Sequence, residues 1–149
     1  MPSAAVAQIR TDAELVVRSC RRMESTVRMR FAEADWPQVP DEPGVYVIYD
    51  LEEVIYVGMA GRDGKGSLRS RLKDHASGQI VNMFAQYLFL ARVQFESSDR
   101  ITHPRDAKAA VRKYLQTRCS FRYVTTASAA EARKLEQQLK MQLGPVLNP

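Results

Sequence analysis

The 149-residue chain has two cysteines and one tryptophan. Cys20 and Cys119 have no metal-ligand spacing, so they offer neither a zinc-finger ligand set nor a disulfide framework. Two free thiols suit a reducing, cytoplasmic compartment. No apolar run approaches the ~20 residues that a membrane-crossing helix needs, and no stretch reads as a signal peptide. Low-complexity tracts and internal repeats are also missing, which excludes repeat architectures. A Walker-type nucleotide loop is excluded as well. In Met59-Ala60-Gly61-Arg62-Asp63-Gly64-Lys65-Gly66, no Gly-Lys-Ser/Thr follows the required gap after a glycine.

What remains is one domain's worth of chain, large enough to bury a core unaided. Its formal net charge is +5, placed unevenly. Residues 1–43 carry six basic and seven acidic side chains, whereas residues 44–149 carry sixteen and ten. Between Arg100 and Arg122, seven cations face one acid. The balance favours a polyanionic partner.

Four local patterns carry chemistry. Val45-Tyr46-Val47-Ile48-Tyr49 and Val54-Ile55-Tyr56-Val57 are β-branched and aromatic, and Asp50-Leu51-Glu52-Glu53 suits a turn, so the spacing predicts a hairpin. Alternation places Tyr46 and Tyr56 where they can share a face, either for chemistry or as packing aromatics. Gly58 is expected to end the second strand and admit a backbone or a phosphate. The glycine-rich loop that follows offers amides plus Arg62 and Lys65 to phosphate, or is a plain connector. Ser67 then caps a helix with Leu68, Leu72 and Ala76 inward. Arg71 and His75, four residues apart, form one cationic patch on it, with Arg69 and Lys73 a second pair. Ser128 opens a last helix with Ala132, Leu135, Leu139 and Leu143 as its apolar stripe and Gly144-Pro145 as its stop. Glu136 lies on the shoulder of that stripe, where it looks into a cleft or joins a surface ion pair; Arg133, Lys140 and Met141 fall farther out.

In order and spacing, these pieces resemble the GIY-YIG nuclease family. Pro43-Gly44-Val45-Tyr46 and Tyr56-Val57-Gly58 match its two namesake tripeptides, with valine for isoleucine in each. Arg71 and His75 match its arginine helix. Glu136 matches its metal-binding glutamate, with Pro145 nine residues on and Asn148 three beyond that. The resemblance covers roughly residues 41–149.

It implies an α/β (α+β) domain with a small three-stranded, mainly antiparallel sheet flanked by helices. Residues 1–40 are then a helical extension and linker, and residues 41–149 the nuclease-like domain. In the extension Val16, Cys20, Met23, Val27, Phe31 and Ala34 form a helical stripe. An insertion at about 79–103 contains a strand candidate, Tyr87–Phe95, and Pro104 opens a further helix to about Gln116. The implied activity is hydrolysis of phosphodiester bonds in DNA, dependent on Mg²⁺ or Mn²⁺. Glu136 would bind the metal, Arg71 the phosphate oxygens, and Tyr46 would deprotonate water with His75 accepting or relaying the proton. Tyr56 would orient water or phosphate, and Asn148 would brace the site. Arg62, Lys65, Arg69 and Lys73 would contact nucleic acid. A monomer is favoured over a restriction-type dimer, with a partner protein possible for specificity. The rival is a binding module of the same fold without catalysis.

Overall fold

The computed structural model describes residues 26–79, 81–93 and 101–148, with Ser3, Ala4, Arg18 and residues 21–23. The elements are β1 (Met29–Arg30), β2 (Gly44–Asp50), β3 (Glu53–Ala60), α1 (Leu68–Ala76), α2 (Met83–Ala91), α3 (Pro104–Arg118), β4 (Cys119–Thr125) and α4 (Ala129–Leu143). The sheet is wholly antiparallel and four-stranded, in the order β1-β4-β2-β3, rather than three-stranded. The fourth strand comes from the segment before the hairpin.

Alternation along β2 divides the core. Tyr46 and Ile48 face α1, α2 and α3, packing with Leu68, Leu72, Phe84, Leu88, Val111 and Leu115. Val45 and Val47 face α4, packing with Ala132, Leu135 and Leu139. The result is a helix–sheet–helix sandwich with the expected hairpin at its centre. The hairpin turn is tighter than expected, because Asp50 and Glu53 already pair. Gly58 does not end its strand either, since β3 runs on to Ala60.

Helix boundaries follow their caps. Ser67 and Ser70 form a reciprocal capping box on α1. On α4 the Ser128 hydroxyl accepts from Glu131 N, and Gly144 closes the helix in the left-handed region (φ 54). Leu143, expected on the stripe, lies exposed beyond the sheet.

Two further expectations fail. Residues 87–91 belong to helix α2, not to a strand; residues 94 and 95 lie outside the described residues. An unbroken apolar run fits a buried helix as well as a strand. Asn82 decides it by accepting from Ala85 N at 2.8 Å as N-cap. The N-terminal stripe likewise does not continue as one helix. Val16 and Cys20 lie outside the described residues, Met23 packs on the α4 side, Val27 is exposed, and Phe31 packs on the opposite side. The backbone extends at Met29–Arg30 because β4 there offers unpaired ladder groups.

Trp36 stacks on Phe121 at 5.9 Å, which orders the link into β2. No helix among the described residues is long and apolar enough to cross a membrane.

Candidate active site

A pocket of about 440 Å³ opens at the β3 edge of the sheet, between the loop after β3, α1 and α4. Tyr46, Tyr56, Gly58, Arg62, Lys65, Arg71, Glu136 and Asn148 line it. Residues from both layers of the sandwich meet here, because α4 carries Glu136 around the sheet edge from the far face.

Tyr46 is fully buried, and its Oη lies 2.6 Å from His75 Nε2. His75 is boxed by aromatic rings: Tyr56 at 5.7 Å and Phe84 at 4.9 Å, both edge-on. Burial, reinforced by the Arg71 charge, pushes the imidazole pKa down to about 3, with Asn82 opposing slightly. His75 is therefore neutral near pH 7. The expected cationic patch with Arg71 does not form: the helix positions both, but His75 turns inward beside Leu72. So depressed a pKa also opposes a role for His75 as proton acceptor.

Burial, with Tyr56 next, pushes the Tyr46 phenol well above its ordinary 10, and Arg71 pulls it back. Tyr56 is raised in the same way, mainly by burial, again with Arg71 opposing.

Gly58 pairs with Tyr46 across the β2–β3 ladder. A Cβ on Gly58 would stand 2.5 Å from Tyr46 Cζ, nearer still to its Oη, and 2.8 Å from Tyr56 Cε1. The missing side chain thus makes room for two tyrosine rings rather than for phosphate. Gly61 serves the loop differently: its φ of 98 and the Pro43 side chain, 2.6 Å from a would-be Cβ, both demand glycine.

Glu136 is largely buried, and its Oε1 lies 2.6 Å from Lys140 Nζ. Lys140 does not fall away from the site as expected. It lines the pocket, as do Ser70 and Asp74. The i,i+4 spacing of Glu136 and Lys140 was the signal available in the sequence.

Among the described residues, no group of three or more His, Cys, Asp or Glu side chains could hold a metal. A lone carboxylate nevertheless fits Mg²⁺, which keeps several waters and fills its shell with substrate phosphate.

Both ends of the Asn148 amide bond the Val57 backbone at 2.8 Å, and Leu147 N donates to Ile55 O at 2.8 Å. Asn148 thereby braces the outer edge of β3 beside Tyr56. Arg62 and Lys65 are exposed on the pocket rim. Arg69 is instead tied to the linker, donating to Val39 O at 2.8 Å and Pro37 O at 3.3 Å, and Lys73 is exposed; neither lines the pocket.

A family model described as the GIY-YIG catalytic domain matches residues 45–149. No curated protein matches the chain. Among solved structures, the chain is similar to the GIY-YIG N-terminal endonuclease domain of UvrC from Thermotoga maritima, bound to its catalytic divalent cation, magnesium. Identity is 19%, the TM-score is 0.43, and the match covers 76% of this chain and 91% of that one.

Proposed function

The chain belongs to the GIY-YIG catalytic-domain family, and on that premise we propose that it is a metal-dependent endonuclease that hydrolyses phosphodiester bonds in DNA. The observation that carries this reading is the convergence of Tyr46, Arg71 and Glu136 on one pocket from three separate elements, with Arg62 and Lys65 at its rim. A packing aromatic, a surface arginine and a surface ion pair have no reason to meet in a cleft.

The Arg71 guanidinium, permanently charged and forked, binds the non-bridging oxygens of the scissile phosphate and holds charge as it builds there. Tyr46, once ionised, takes a proton from the attacking water, whose oxygen bonds to phosphorus while the ester oxygen departs. Arg71 is the protein cation that makes that ionisation less costly, since it already opposes the effect of burial. Tyr56 orients the water or a phosphate oxygen. Glu136 would hold Mg²⁺, which when bound supplies positive charge to the phosphate and the leaving oxygen. Arg62 and Lys65 steer the backbone into the cleft without reading bases. Lys73, off the pocket, contributes only a long-range attraction.

With one base, Tyr46, and one metal-binding carboxylate, Glu136, the site cuts one strand per encounter, so the free monomer should nick supercoiled plasmid before any linear form appears. The test is Mg²⁺ titration against that plasmid for the wild type and for Glu136→Gln. We expect metal-dependent nicking by the first and none by the second, with DNA affinity kept or raised because a negative charge is lost. Full cleavage by Glu136→Gln would overturn the metal assignment. Binding without cleavage by the wild type at any Mg²⁺ concentration would favour the non-catalytic module.

A further inference from the structure

Arg133 has no part in the chemistry described above, yet it lines a cavity. A second hollow of about 330 Å³ is walled by Met59, Arg62 and Asp63 on one side and by Ala129, Ala130 and Arg133 of α4 on the other. Met59 and Arg62 also line the candidate active site, so the two hollows adjoin and share a wall. Arg133 and Glu136 are three residues apart on α4, which makes them neighbours on its surface, about 4.5 Å apart along the axis. One flank of the helix therefore runs from the carboxylate in the main pocket to a guanidinium in the next. A DNA strand advances about 3.4 Å along its axis from one phosphate to the next, a comparable step. Arg62 and Arg133 are both exposed, and neither has an ion-pair partner among the described residues, whereas Lys140 on the same flank is paired with Glu136. Asp63 is the acid of this wall. Its φ of 57 lies in the left-handed region, which aspartate tolerates better than most side chains, so the turn accounts for it.

We propose that the hollow between the loop after β3 and the first turns of α4 is a subsite for the phosphate next to the scissile one, held by Arg62 and Arg133, and that it sets the path of the DNA strand along α4. Guanidinium forks match the non-bridging oxygens of a phosphodiester. Met59, half-buried where the hollows meet, gives the sugar between the two phosphates an apolar rest. Contacts of this kind fix register on the backbone and accept any base sequence. The subsite rests on the reading of DNA as substrate. It brings Arg133, which helical angle alone puts outside the cleft, onto the track of the strand.

The test measures binding of the full-length protein to a short labelled duplex by fluorescence anisotropy, in EDTA so that no cleavage intervenes, over a range of salt. Arg133→Gln removes one phosphate contact, so the slope of log Kd against log salt should fall by about 0.9. Between about 50 and 200 mM salt the variant should then lose about 3.5-fold less affinity than the wild type. Plasmid nicking should show a raised KM at unchanged kcat, because the contact is made equally before and during the reaction. Arg30→Gln removes the same charge on β1, at the opposite edge of the sheet, and should leave the slope unaltered. Ala130→Leu fills the hollow without changing the charge and should weaken binding at every salt concentration. A wild-type slope in Arg133→Gln, or an equal fall in Arg30→Gln, overturns the subsite. Unweakened binding by Ala130→Leu puts the Arg133 contact outside the hollow and overturns it too. A wild type that binds with the expected salt response but never cleaves supports the subsite and overturns the catalytic reading alone; a wild type without affinity for DNA overturns both.

Discussion

Replacing Gly58 by alanine tests the geometry of the cleft with one methyl group. The added carbon would lie 2.5 Å from Tyr46 Cζ and 2.8 Å from Tyr56 Cε1. Carbon atoms prefer ~3.5–4.0 Å, so the rings must withdraw by roughly 1 Å. Tyr46 can yield only a little, because β2 is held between β4 and β3 and its ring is buried. Gly58 is not among the positive-φ glycines, so the backbone accepts alanine and the effect is purely steric. Overpacking of this kind costs ~1–3 kcal/mol. A catalytic group displaced by about 1 Å loses about 100-fold in rate. We therefore expect kcat for plasmid nicking to fall about 100-fold and the melting temperature by about 3–10 °C. DNA affinity should stay within about twofold, because the rim cations are untouched. The double variant with Tyr46→Phe, which removes the atom nearest the new methyl, should regain stability and stay inactive, a non-additivity expected of contacting residues. Wild-type rate and melting in Gly58→Ala would refute the packing argument. DNA binding lost in step with cleavage would show that the fold, not the ring, had given way.

Tyr46→Phe alone removes the ionisable atom and the bond to His75. Nicking should be almost abolished while stability falls by only ~1 kcal/mol, and normal cutting would leave Tyr46 as a packing aromatic. The low pKa of His75 ties stability to pH. The unfolded chain takes up a proton near 6.5 that the folded chain refuses until about 3, so this contribution is complete above 6.5 and is lost as pH falls toward 3. The loss approaches ~1.4 kcal/mol per pH unit. Urea unfolding between pH 7 and 4 should show this slope in the wild type and a shallower one in His75→Gln; equal slopes would contradict the burial. Lys140→Met frees the Glu136 carboxylate, so half-maximal nicking should need several-fold less Mg²⁺, and an unchanged requirement would show that the ion pair does not compete with the cation.

The hairpin, the capped helices α1 and α4 and the helix after Pro104 were legible because each carries its own local signal: alternation, a serine cap, a proline start. The meeting of Tyr46, Tyr56, Arg71, Glu136 and Asn148 at one pocket was legible through joint spacing, although each one alone fits packing or a surface pair. What escaped depended on tertiary context. The periodicity of residues 16–34 says nothing about a vacant strand edge on β4, so it predicts helix where the strand Met29–Arg30 forms. Whether Tyr87–Ala91 is strand or helix turned on one cap, Asn82. The inward turn of His75 and the capture of Arg69 by linker carbonyls follow from which face of α1 meets the sheet. Helical angle alone, without the reach of its side chain, places Lys140 outside the cleft that it lines.

The convergence of the site from both hydrophobic layers limits when the protein can act. Tyr46, Tyr56 and Arg71 belong to the layer of α1 and α2, and Glu136 to the layer of α4. A chain that has formed its hairpin, which carries both phenols, and packed only one helical layer has either the guanidinium or the carboxylate in place, never both. On the proposed function, cleavage therefore requires that the packing of Ala132, Leu135 and Leu139 on the sheet be complete, so that one docking event acts as a safety catch.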